Sequence, residues 1–157
     1  MQTLHKAVVF VTGGEEYAFP VEAVISIEKM ENINPIPHFP RYFKGITKSR
    51  GELLPVVDLE YLFYHRQLSN IEEARLIIVQ SDSFPIGFLV KEAKEIMDVP
   101  EESIRQMGLL ASGQAKYFCG VADLENRLVT MIDTNALVSS LEGVQDIKEY
   151  LAQAEAR

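Results

Sequence analysis

Apolar residues along this 157-residue chain recur with a two-residue period far more often than with a helical one, so strands are predicted to dominate. Residues 7–12 are β-branched or aromatic, and the glycines of "TGGEEY" turn the chain back through residues 16–19 as a hairpin. Pro20 interrupts, and Val21, Ala23, Val24, Ile25 and Ile27 fit one helical turn that flows into a strand. The three prolines of "NPIPHFP" predict an extended connector, because each lacks a ladder donor. A second hairpin, "GITKSR" with "LLPVVD", closes around Gly51. Beyond the polar joint "HRQLSNIEEA", strands are predicted near residues 75–81, 84–90, 93–98, 117–123 and 127–132. The insert "PEESIRQMGLLASGQA" opens on Pro100 and two glutamates, which favour a short helix. Near the C-terminus, Val144, Ile147, Leu151 and Ala154 share one face at helical spacing, an apolar stripe for packing against the strands.

The same order of elements occurs twice. "FKGITKSRGELLPVVDLEYLF" from Phe43 and "FCGVADLENRLVTMIDTNALV" from Phe118 align without a gap at an offset of 75 residues. Phe43 meets Phe118, Gly45 meets Gly120, Leu53 meets Leu128, Asp58 meets Asp133 and Leu62 meets Leu137. Earlier, the stretches from Val8 and Leu76 run in parallel once one residue is inserted, with Val11 by Val79, Val21 by Val90 and Ile27 by Ile96. The chain therefore reads as two tandem copies of one unit.

Composition narrows the partners. A hydrophobic content of 47% suffices for a real core. A net charge of −8 opposes sequence-independent binding to nucleic acid or anionic lipid. The sign is uneven: between Glu31 and Glu52 there is no acidic residue, while Arg41, Lys44, Lys48 and Arg50 all fall there, as a solvated loop or a patch for an acidic protein partner. No stretch has the length and apolarity of a membrane span, and "MQTLHKAVVF" lacks a signal-peptide core, so a cytoplasmic protein is expected. Cys119 has no partner for a disulfide and is predicted to be a buried small hydrophobe.

Catalytic chemistry finds no foothold. His5, His38 and His65 lack the short spacings that gather metal ligands, and the glycines form neither a phosphate loop nor a dinucleotide fingerprint. Asp58 and Asp133 each end a strand and precede a helical turn, which is the placement of an N-cap; a catalytic carboxylate pair would need a base or metal beside it. No catalytic residue, cofactor or metal is expected, and the reading moves toward a binding module.

"GITKSRGELLPVVDL" resembles the "GVINLRGxIxPVIDL" signature of the CheW family, the coupling proteins of bacterial chemotaxis. The likeness spans essentially all of residues 1–157 as a single domain, including the stretch from Val8 to Lys29, "PIPHFP", "IGFLVKEAKEI" and "MIDTNALV". It implies a mainly β fold of two five-stranded SH3-like barrels around a shared core, with short helices. Placed on the tandem copies, the expected subdomains are 7–64 and 74–140, followed by a C-terminal helix over 143–155.

The resemblance also implies a function without catalysis: bridging chemoreceptor cytoplasmic tips and the regulatory domain of the histidine kinase CheA, in receptor arrays at the inner face of the membrane. Carried over position by position, Gly45, Arg50 and Gly51 match the signature turn, and Val21, Val24 and Ile27 match apolar positions lining a receptor groove. Structural roles stand beside these. Arg50 could bridge to Glu28, the two glycines could serve backbone geometry alone, and Val21, Val24 and Ile27 could be core. Lys48, Ser49, Ser26 and Lys94 depart from the family pattern, which leaves open a divergent scaffold of another chemosensory array. A ligand-binding β-barrel is the remaining alternative.

Overall fold

A computed structural model describes residues 4–29, 32–82, 84–106 and 116–155. The strands are β1 (Leu4–Thr12), β2 (Glu15–Pro20), β3 (Val24–Lys29), β4 (Phe43–Ser49), β5 (Glu52–Asp58), β6 (Arg75–Gln80), β7 (Pro85–Val90), β8 (Glu92–Pro100), β9 (Ile104–Arg105), β10 (Phe118–Leu124) and β11 (Arg127–Ile132). The α-helices are α1 (Leu59–Tyr64), α2 (Thr134–Ser140) and α3 (Val144–Glu155). The short helix expected after Pro100 is a 3-10 helix over Glu101–Ser103, followed by the short β9; residues 107–115 of the insert lie outside those described.

Among the described residues the strands form two sheets. One has the order β8-β1-β2-β11-β10-β9 and the other β3-β6-β7-β5-β4. The divisions 7–64 and 74–140 therefore do not coincide with the sheets. Each half lends its first hairpin to the other half's sheet: β2 lies parallel to β11, and β7 lies parallel to β5. The exchange gives each sheet its own apolar interior. Ala7, Val9, Ala18, Val99, Ala122, Val129 and Met131 fill the first. Leu54, Val56, Leu68, Ala74, Leu76, Ile78 and Leu89 fill the second. A third cluster lies between the sheets and includes Phe10, Phe19, Val57, Ile77, Val79, Phe88, Ile132 and Leu137. The result is the two-barrel arrangement with a shared core.

The tandem copies are visible in backbone detail. A bulge breaks the β4/β5 register between Phe43 and Gly45, and another breaks β10/β11 between Phe118 and Gly120. Asp58 N donates to Tyr42 O at 2.7 Å, and Asp133 N donates to Tyr117 O at 2.8 Å. For the first hairpins the sequence alignment slipped by one residue. The structural offset is a uniform 69, so Val79 corresponds to Phe10 rather than Val11: both face the shared core, as do Tyr17 with Ile86 and Phe19 with Phe88. A slip of one residue moves a strand's side chains to its other face, and only the sheet packing resolves that. Phe19 and Phe88 meet at 5.5 Å, ring to ring, so equivalent residues of the two copies touch near the pseudo-twofold axis.

Each helix ties down the first hairpin of its own copy, which lies in the other sheet. Glu60 of α1 accepts from Gly13 N in the β1–β2 turn at 3.2 Å, and Asn135 of α2 accepts from Asp82 N after β6 at 3.1 Å. The α1 joint carries more. Its Tyr64 hydroxyl lies 2.5 Å from that of Tyr17, and Phe63 packs on Tyr17, Tyr117 and Phe118. The Tyr17 phenol is held far above its ordinary pKa, first by desolvation and then by the Tyr64 hydrogen bond, so it is a neutral hydrogen-bonding group. The apolar face of α3 buries Ile147 and Leu151 in the shared core, with Val144 packed against it.

Candidate interaction surface

The chain enters the candidate surface through Pro20, whose fixed φ of −59° begins the 3-10 turn Val21–Ala23. β3 follows as an edge strand, hydrogen-bonded among the described residues only to β6. A bulge between Val24 and Ser26 makes Ile25 the extra residue. Beyond the bulge, Ser26 pairs with Ile78 of the barrel interior, while Ile27 pairs with Ile77 of the shared core. Because β3 is the last strand of its sheet, Ile25 and Ile27 stay 43% and 42% exposed. These are large side chains left in water on an unpaired edge, which is the kind of apolar exposure that marks an interaction site.

The expected contact residues separate into two groups. Val21 is half-buried on the turn, Val24 is half-buried against the shared core, and Ile27 is exposed. Arg50 and Gly51 are exposed and form the two-residue tip of the β4–β5 hairpin, with φ of 53° and 82°. Both central residues lie in the left-handed region, as a tight primed turn requires. Gly45 does not belong with them. It is buried at φ 143°, and a Cβ there would lie 2.1 Å from Asn34 O, so it cannot touch a partner. Asn34 bridges to Ile46 at that point, and the missing side chain is what lets the connector cross.

The departures Ser26 and Ser49 act together. Both hydroxyls donate to the Glu28 carboxylate, at 2.8 and 2.9 Å, so Glu28 is held by serines and not by Arg50. Lys94 occupies the bulge of β8, the position matching Ile25, and reaches Glu16 at 3.8 Å. Glu16 also binds Arg127, which takes Glu95 at 2.6 Å, and this network closes one end of the first barrel.

Ile96 went unnamed as a contact residue. It lies on β8, the other exposed edge of matching position, and is 59% exposed. The repeat that set it beside Ile27 was the available signal.

Cys119 corrects another expectation. It is exposed at the β10 bulge, not buried, and its thiol donates to Met131 O at 3.4 Å. Desolvation of the sulfur, and secondarily the charge of Asp133, raise its pKa, which disfavours the thiolate needed for nucleophilic chemistry. Both aspartates are helix caps: Asp58 Oδ1 accepts from Tyr61 N and Asp133 Oδ1 from Ala136 N, each at 3.1 Å. They differ in surroundings. Asp133 is exposed, whereas Asp58 is fully buried, also accepts from Leu68 N at 3.0 Å, and lies 3.8 Å from Lys44 Nζ. No group of three metal-ligating side chains occurs among the described residues. A polar cavity of about 550 Å³ is lined by Glu60, Arg66, Ser69, Asn70 and Lys91 among others. No helix among the described residues is long and apolar enough to cross a membrane.

Comparison with known proteins agrees with this geometry. The model of the CheW-like domain matches residues 6–142. The chemotaxis protein CheW of Bacillus subtilis is 31% identical over 151 residues, covering 93% of this chain and 96% of that protein. CheW of Klebsiella aerogenes is 27% identical, covering 85% and 81%. Protein FrzA of Myxococcus xanthus is 25% identical over 71% of this chain and 70% of its own. The crystal structure of the scaffolding protein TtCheW from Thermoanaerobacter tengcongensis superposes with a TM-score of 0.80 at 26% identity, covering 90% of this chain and 96% of that one. With its signature hairpin, its exchanged strand pairs and a family match over most of its length, this chain belongs to the CheW-like domain family.

Proposed function

We propose that this chain is a non-enzymatic adaptor of chemotaxis, coupling chemoreceptor cytoplasmic tips to the regulatory domain of the histidine kinase CheA within arrays at the inner face of the membrane. The observation that carries this reading is the β3 edge, where exposed Ile25 and Ile27 adjoin half-buried Val21 and Val24. A receptor tip is a helical hairpin with an apolar face, and such a strip buries it by helix-in-groove recognition. Ile27→Asp tests it. Substitution at this exposed site changes folding by about 0.5 kcal/mol or less, while a charge desolvated against a receptor helix weakens a receptor-fragment complex by about tenfold or more. Kinase binding, assigned to a different surface, survives. Unchanged receptor affinity in the folded variant refutes the assignment. Val24→Asp is a poorer probe, because Val24 packs on the shared core and the substitution would also cost stability.

Arg50 supports the reading independently. A non-glycine residue at φ 53° carries a backbone cost of about 1 kcal/mol, and no ion pair holds its side chain among the described residues. Exposed at the hairpin tip, its guanidinium is available to a partner. Arg50→Gly is therefore expected to leave stability equal or raise it by about 0.5–1 kcal/mol, while lowering receptor affinity. Denaturant unfolding and a binding titration on one sample separate the two effects.

A further inference from the structure

Lys29 and Arg75 sit directly opposite each other on β3 and β6, in register and on the face that carries Ile27 and Ile77. Like charges so placed repel, and sheets usually avoid the arrangement. Neither cation has an ion-pair partner among the described residues. The nearby Glu28 carboxylate is occupied by Ser26 and Ser49, and Arg75 Nη1 donates to the carbonyls of Glu73 and Ala74 at 3.1 Å each. Lys48 and Lys29 line a cavity of about 380 Å³ together with Glu28, Thr47 and Leu76. In a chain of net charge −8, Lys29 and Arg75 are a paired local concentration of positive charge on the face of β3 that carries Ile27, with the Glu28 carboxylate on the opposite face.

We infer that Lys29 and Arg75 select receptor tips carrying a carboxylate about one helical turn beyond their apolar anchors. The inference rests on the coupling function proposed above and adds the chemistry of the partner. Ile27 and Lys29 are two residues apart on one strand, about 6.8 Å, close to the 5.4 Å pitch of a helix lying along it. An aspartate or glutamate three or four positions from the apolar contact then falls between the two cations. Its charge relieves their repulsion, so the cost carried by the free adaptor becomes a preference for acidic tips.

The test titrates a receptor hairpin-tip fragment against the wild type, Lys29→Glu, Arg75→Glu and Ile27→Asp at low and high salt. Each charge reversal is expected to weaken binding at low salt by on the order of tenfold, with the difference collapsing at high salt. Thermal midpoints should hold or rise, because each single reversal converts a repelling cross-strand pair into an attracting one. A fragment whose tip carboxylates are changed to lysine should regain affinity for the reversed variants. Lys29→Gln and Arg75→Gln give the same comparison should a reversal fail to fold. Equal affinity and salt dependence across the charge variants, where Ile27→Asp has lost binding, overturn the inference and leave the coupling function standing. Failure of the wild type to bind the fragment overturns both.

Discussion

Gly45→Ala is expected to lower the unfolding free energy by about 3 kcal/mol or more, adding backbone strain to overpacking against a rigid neighbour. The glycine sits at φ 143°, and the new Cβ would meet Asn34 O at 2.1 Å, Asn34 C at 2.7 Å and Pro35 Cα at 2.9 Å. All three are backbone atoms, fixed by the reciprocal bonds between Asn34 and Ile46 at 2.8 and 2.9 Å. The comparison that isolates the steric part is Gly51→Ala. Gly51 has φ 82° and nothing within 4 Å of its Cβ position, so only the conformational cost of about 1 kcal/mol applies. Denaturant unfolding of both variants checks the difference. Equal losses would show that the connector moves aside and that the contact at Asn34 is soft. Gly120, the matching position, has no positive φ, but a Cβ there would meet Ile104 Cγ2 at 2.7 Å and Arg105 O at 3.0 Å, so its alanine variant suffers overpacking without the conformational cost and falls between the two.

Asp58→Ala is expected to cost about 3–5 kcal/mol, against about 1 kcal/mol for Asp133→Ala, although the sequence presents them as equivalents. Removing the Asp58 carboxylate takes away the cap of α1, leaves the Leu68 N–H without its acceptor, and strips Lys44 of its counter-charge in a mostly buried site. Removing that of Asp133 loses one exposed cap bond. Asparagine should nearly restore Asp133, where only an acceptor is needed. At Asp58 it should restore the cap but not the charge, giving an intermediate stability. Similar losses at the two sites, measured by denaturant unfolding, would mean that the Lys44 and Leu68 interactions contribute little.

Much of the fold was legible because its local chemistry is explicit. Alternating apolar residues, paired glycines at Gly13 and Gly14, Pro20 and the two capping aspartates each have one inexpensive backbone solution, and the strands fall where the period of two puts them. The signature stretch also led to the correct family. The candidate surface was legible in part. Val21, Val24 and Ile27 could be nominated, but the half-buried state of Val24 and the exposure of Ile27 depend on where the sheet ends. The pairing of Lys29 with Arg75 joins residues 46 positions apart in the chain and has no local signal.

The division between sequence and tertiary structure follows the range of the forces involved. Turn residues, caps and apolar period act within a few residues, so the sequence alone determined the elements, their order and their duplication. Which sheet each hairpin joins is a long-range choice, decided where β2 meets β11 and β7 meets β5. That choice buries Phe19 against Phe88, makes Asp58 interior and Asp133 peripheral, and leaves Cys119 and Ile96 in solvent. Burial belongs to the packed whole: Asp58, covered by Lys44 and Leu68, is core, while Asp133 at the matching position of the second copy is surface.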